Sequence, residues 1–347
     1  MLCCARILRA ADILVIFIIS LDETSQTDTT RRSKRRRNME QNKPKKRRGD
    51  RKDAVWLRDI DILQGFMPYL YPNRADNEAF IQERIELDNI NSYIEAKNRE
   101  LFGGDEGREI SAANPLIAEE PYKLFYVLLA ALVKTITLRP KMNRFVKGGR
   151  VYQRDKLSLA FVVKKKFSDN GAEALAFIEF DENTTIEDVR RKLSEEINQC
   201  RGDKQDNSTE KMGMFLKMPR WLLRFAMWII HKLDYYGKVP NALIKADPNY
   251  ATCMVTNLGS IGLKAGYHHL SNWGTNSIFV IIGEKKMSPI FDENGNVTMK
   301  ETLDLGLTLD ERIADGYYYA KTVRLLKYLL QNPQLLETAA KEEVKYE

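Results

Sequence analysis

Three short stretches hold side chains that could do chemistry. Asp310-Glu311-Arg312-Ile313-Ala314-Asp315-Gly316 places three carboxylates and an arginine within seven residues. A glutamate such as Glu311 can serve as a general base where burial raises its proton affinity, and carboxylates beside an arginine can equally be structural. Thr256-Asn257-Leu258-Gly259 ends an apolar run with a hydroxyl able to donate a hydrogen bond. An ordinary strand-end turn needing glycines would read the same way. Tyr267-His268-His269-Leu270 holds two of the three histidines, His231 being the third. His268 or His269 could take a proton in place of Glu311, or the pair could be a polar loop contact.

The elements that would position these groups follow from hydrophobic periodicity. Residues 303–309 alternate as a strand, and Tyr318, Val323, Leu326 and Leu330 recur at helical spacing. The heptapeptide is then a sharp strand-to-helix turn, closed by Gly316, a residue tolerant of unusual backbone angles. Residues 251–256 and 277–283 read as strands, with the histidine pair in the connection between them. Residues 79–87, 157–163 and 174–180 read as further strands, and 146–152 and 290–299 as hairpins, the second around Asn294-Gly295. Trp56, Leu57, Ile60, Leu63, Phe66 and Met67 predict a helix stopped by Pro68. Helices are also predicted from residue 88, over 122–138 and over 185–199.

Residues 214–236 carry two stripes. Leu222, Phe225, Ala226, Ile229 and Leu233 form one; Trp221, Arg224, Trp228, His231 and Lys232 share the other. The cations argue against a spanning helix. Two readings stay open: a cover for the sheet or a tunnel mouth, and a helix for weak membrane or partner contact.

The 347 residues are 44% hydrophobic, enough for a sizeable core. The net charge of +7 is local: residues 31–52 carry +11, which leaves −4 for the rest. A basic nucleic-acid footprint is therefore not expected on the folded part. Residues 1–53 read as a disordered basic extension, with 1–38 either a misassigned start or a weak membrane anchor or signal, and residues 54–347 as one catalytic-type domain. Cys3, Cys4, Cys200 and Cys253 lack metal-ligand spacing and imply no disulfide framework, which fits a reducing cytoplasm.

The Asp310–Gly316 heptapeptide resembles the Asp-His-Arg-x-x-Asp-Gly motif of the 2-oxoacid dehydrogenase acyltransferases and of chloramphenicol acetyltransferase. Glu311 stands at the position of the catalytic histidine. Thr256-Asn257-Leu258-Gly259 with Gly262 resembles the family's Ser-Asn-Leu-Gly segment, and Pro140 to Asn143 its Pro-x-x-Asn helix ending. The resemblance spans roughly residues 80–336. It implies an α/β two-layer sandwich, a mixed sheet covered by helices, with sites between the subunits of a homotrimer. It implies coenzyme A thioester as co-substrate, a small-molecule thiol or hydroxyl acceptor and no metal. Thr256 would donate to the oxyanion, Glu311 would stand as base, and Asn257, Gly259, His268 and His269 would border the substrate. Asp315 would hold the turn through an N-terminal arginine, Arg74 or Arg84, with Asp310 and Gly316 structural. No lipoyl-type hairpin is visible, so a free-standing acyltransferase-type domain is expected. The alternative is a non-catalytic relative that binds an acyl or coenzyme A ligand or scaffolds a partner.

Overall fold

The computed structural model describes residues 46–103, 120–164, 173–201, 219–240, 243–244 and 247–346. The expected N-terminal extension lies outside these residues up to position 45. In chain order the elements are β1 (Ala54–Trp56), α1 (Ile62–Leu70), β2 (Glu78–Glu86), α2 (Asp88–Phe102) and α3 (Leu124–Leu138). Then come β3 (Arg144–Lys147), β4 (Arg150–Arg154), β5 (Leu157–Lys164), β6 (Glu173–Phe180) and α4 (Ile186–Arg201). The chain ends with α5 (Arg220–Tyr235), β7 (Cys253–Asn257), β8 (Ile278–Phe291), β9 (Val297–Asp310) and α6 (Gly316–Gln331).

The chain divides into two compact units. The smaller comprises residues 1–56 and 205–247; β1 and α5 belong to it. There Arg51 and Asp234 form a buried ion pair at 3.1 Å, and Arg51 Nη1 also donates to the Asp234 carbonyl at 2.8 Å. The larger unit, residues 57–204 and 248–347, is an α/β layer structure built on one six-stranded mixed sheet of order β2-β9-β8-β7-β5-β6. The β5–β7 and β7–β8 pairs are parallel and the others antiparallel.

Strand alternation sorts this sheet into two faces. On one, Leu303, Leu305, Leu307 and Leu309 of β9 lie beside Ile278, Val280 and Ile282 of β8. Cys253 and Val255 of β7, then Leu159 and Phe161 of β5, continue the row. All are buried in the main core with the inner sides of α3, α4 and α6. The second face carries Phe279, Ile281, Met254 and Val162, and the connection from Leu258 to Ser277 covers part of it. The cover sits on glycines. A Cβ on Gly306 would lie 1.9 Å from the Gly266 carbonyl oxygen, and one on Gly283 would lie 2.5 Å from the Ala265 nitrogen.

Two sequence expectations change. The helix expected from Trp56 begins instead at Ile62, because Asp61 caps it by accepting from the Leu63 and Gln64 amides. It runs through Pro68 to Leu70, since a proline near the C-terminal end of so short a helix forfeits a single ladder bond. The expected strand over 277–283, the hairpin over 290–299 and the strand over 303–309 are one long hairpin, β8–β9, paired from Ile278–Leu309 to Phe291–Val297. Its register shifts by one residue at a bulge between Ile282 and Lys285.

Gly306→Ala should destabilise the larger unit by about 1–3 kcal/mol, because two backbones must part to admit one methyl group. Urea unfolding followed by circular dichroism measures this. The exposed Gly316→Ala, with no neighbour within 4 Å and no left-handed angle, serves as the contrast.

Candidate active site

The Asp310–Gly316 turn is built around a buried carboxylate. Asp310 is fully buried, and the Arg312 guanidinium grips it through Nε at 2.8 Å and Nη2 at 2.7 Å. Arg74, also buried, brings its Nε to 3.6 Å from the same carboxylate. Arg312 Nη1 donates to the carbonyls of Tyr71 and Pro72, each at 3.0 Å. The Tyr319 hydroxyl donates to the Asp310 carbonyl at 2.6 Å, and burial, reinforced by the nearby carboxylate, pushes that phenol well above its ordinary range.

The arginine expected on Asp315 therefore serves Asp310, and Arg84 pairs with Asp304 at 3.0 Å. The reason is helix geometry: Asp315 is the N-cap of α6, its carboxylate accepting the Tyr318 amide at 2.8 Å. That hydrogen bond, with help from Lys141 at 3.8 Å, holds Asp315 below the usual carboxylate range. Gly316 is the first helical residue and takes no left-handed angle, so the expectation of an unusual backbone there is corrected. Glu311 lies between two inward-facing residues and is itself exposed; its amide donates to the Asn77 carbonyl at 2.9 Å.

Arg74 also ties this turn to the histidine loop. Its Nη1 donates to the Ser271 carbonyl at 2.6 Å and to the Gly274 carbonyl at 3.2 Å, and its amide to Asn272 Oδ1 at 2.7 Å. The Leu270 amide donates to Glu78 at the start of β2. So held, the loop roofs a cavity of about 730 Å³ over the second face of the sheet. Thr256, near the end of β7, and His268, in the roof, both line it. Apolar groups dominate the rest of the wall, among them Val162, Met254, Phe279 and Ile281; Lys264 and Glu284 are its charged members.

The His268 ring is fixed. It stacks on Phe279 at 4.3 Å between centroids and on His269 at 4.5 Å. Its Nδ1 lies 2.8 Å from the His269 carbonyl oxygen, which can only accept. The proton of a neutral ring is thereby placed on Nδ1, and Nε2 carries the lone pair.

Sequence reasoning named Thr256 and His268 separately; the structure puts them in one cavity. It places the others elsewhere. Asn257 caps the turn Leu258–Ile261 through the Ser260 amide, and Gly259 packs against the Gly283 backbone. His269 supplies the carbonyl and the stacking ring. Lys264, Tyr267 and Glu284 were missed; a loop rich in glycines before a histidine pair was the available signal. Cys253 is no nucleophile, since complete burial pushes its thiol far up. Among the described residues no group of histidine, cysteine or carboxylate side chains could hold a metal ion.

With this geometry in view, comparison with known families finds one match. Residues 240–338 match the model of the 2-oxoacid dehydrogenases acyltransferase catalytic domain. That segment holds Thr256, the histidine loop and the Asp310–Gly316 turn, the resemblance on which the acyltransferase reading rests. Solved structures give more distant likenesses. A probable dihydrolipoamide acetyltransferase from Listeria monocytogenes 4b F2365 has a TM-score of 0.49 at 13% identity, over 82% of this chain and 94% of the other. The truncated catalytic core of the 2-oxoacid dehydrogenase multienzyme complex from Thermoplasma acidophilum gives 0.45 at 12%, over 80% and 98%. A chloramphenicol acetyltransferase gives 0.45 at 10%, over 80% and 99%. No curated protein matches the chain.

Two stability predictions follow from the turn. Arg312→Met should cost about 3–5 kcal/mol in chemical denaturation, because it strips a buried carboxylate of its bidentate partner. Asp315→Ala should cost about 1 kcal/mol at neutral pH by removing a helix cap. Since the folded pKa of Asp315 is depressed, its contribution is present above the unfolded carboxylate value and is lost as pH falls through the folded one. Melting curves of wild type and Asp315→Ala should therefore converge in acid.

Proposed function

We propose that this chain transfers an acyl group between a coenzyme A thioester and a thiol or hydroxyl acceptor, with Thr256 and His268 as the catalytic pair. The single observation that carries this reading is that both line one largely apolar cavity, which Glu311 does not. His268 Nε2 accepts the proton of the acceptor as its sulfur or oxygen bonds to the acyl carbon. The Thr256 hydroxyl donates to the oxyanion formed on the carbonyl. His268 then returns the proton to the departing thiolate as the carbon–sulfur bond breaks. The apolar walls Val162, Met254, Phe279 and Ile281 suit the acyl chain, and the Thr256 hydroxyl at their edge suits the carbonyl. The family resemblance also supports a homotrimer, and the buried thiol of Cys253 suits a cytoplasmic setting.

A second reading has an observation of its own. The exposed Glu311 stands where the family motif has its base, which favours a relative that binds an acyl or coenzyme A ligand without turning it over.

Thiol release from a panel of acyl-coenzyme A donors decides between these readings. His268→Gln should lower kcat by about 10²–10⁴-fold, the usual share of a general base, with KM little changed. Glu311→Gln should keep its rate within a few fold, and Thr256→Val should lose on the order of 10²-fold. Abolition by Glu311→Gln with an active His268→Gln would place the base back on the turn. Binding without turnover would establish the second reading.

A further inference from the structure

The smaller unit presents a surface that acyl transfer does not use. Helix α5 turns Ala226 and Asp234 inward, Asp234 being held by Arg51, while Leu222, Leu223, Ile229, Ile230 and Leu233 are half-buried. Its outer side is aromatic and basic together. Trp221 is 61% exposed and Trp228 56%, with Phe225 between them and Tyr235 one further step along the same side. Phe225 and Trp228 stack at 6.1 Å, and the Lys232 ammonium lies 6.0 Å from the Trp228 ring. Arg224 and Lys232 are exposed on this side, Arg220 is exposed at its start, and the helix has no acidic residue except the buried Asp234.

We propose that this face of α5 docks on an anionic lipid bilayer, lying in the plane of the headgroups. Four large aromatic groups along one side of a helix about 24 Å long form a convex ridge rather than a socket. Tryptophan and tyrosine favour a boundary where one end of the ring is wet and the other apolar. Arginine and lysine lay their aliphatic stems along that boundary and present their charges to phosphate. The occupant is thus fixed by charge and form: negative, laterally extended and able to accept rings to shallow depth. The helix lies on the membrane and does not cross it, since no described helix is long and apolar enough to span one.

The test uses the full chain with vesicles of phosphatidylcholine, with and without phosphatidylserine, in a flotation assay. Binding should require phosphatidylserine, fall steeply with added salt and shift tryptophan emission to the blue. Arg224→Glu with Lys232→Glu should weaken binding by at least about fivefold per cation removed. Trp221→Ala with Trp228→Ala should weaken it and abolish the emission shift. These sites are exposed, so both double variants should keep the wild-type melting curve; loss of binding in a folded variant is the supporting result. The proposal is overturned if the wild type ignores phosphatidylserine or if both folded variants bind as it does. A blue shift that depends on protein concentration without vesicles also overturns it, assigning the ridge to a second copy of the chain.

Discussion

The buried carboxylate of Asp310 is the constraint on which the larger unit depends. A carboxylate removed from water needs compensating charge and hydrogen-bond donors; Arg312 supplies both, and Arg74, its Nε at 3.6 Å, adds charge from the opposite direction in the chain. Arg312 comes from the turn itself and Arg74 from before β2, and each spends its remaining donors on backbone carbonyls. Arg312 thereby fixes Tyr71 and Pro72, and Arg74 fixes the loop through Ser271 and Gly274. Gln64 of α1 joins the same cluster, its amide donating to the Ile313 carbonyl at 2.7 Å. One ionic cluster thus sets the end of β9, the start of α6 and the placement of the loop that carries His268.

This arrangement accounts for the position of Glu311. Asp310 and Arg312 must both face inward to meet, so the residue between them is directed outward. The Glu311 side chain is therefore exposed, away from the cavity that Thr256 and His268 line. The turn is a structural knot. The loop clamped by that knot carries an imidazole whose lone pair is set by a carbonyl and whose plane is set by two stacked rings.

Much of the sheet was legible because alternation is a local property. The leucines at 303, 305, 307 and 309 read as one buried face and are one. The outer half of the β8–β9 hairpin was harder to read: Lys285, Met287 and Phe291 are exposed, and an unburied strand loses the hydrophobic alternation that marks it. The early helix misled because Trp56, Leu57 and Ile60 fall at helical spacing by chance, while Asp61 was the cap that marked its true start. Ion-pair partners were beyond reach in the same way. Asp310 and Asp315 are both plausible mates for Arg74 in sequence, and the choice is made by which one the helix consumes as its cap. The cavity depended on backbones meeting at Gly266 with Gly306 and at Ala265 with Gly283, contacts that leave only glycines behind as a trace.

Those glycine contacts also explain why the cavity is apolar. The loop can approach the sheet closely only where side chains are absent, and it descends at Gly283 and Gly306. On either side it stands off, leaving a gap whose floor is the second face of β5, β7 and β8. That floor is aliphatic and aromatic because strand alternation puts Val162, Met254, Phe279 and Ile281 on it. Thr256 enters the wall as the next residue along β7 on the same face, at the strand's end, where a hydroxyl can meet a carbonyl at the edge of the apolar space. A hydroxyl donor at one edge, an oriented imidazole in the roof and an aliphatic floor between them favour a substrate with an apolar tail and a polar, reactive head. The fold itself supplies this division of surface, through strand alternation on the floor and the glycine contacts of the loop.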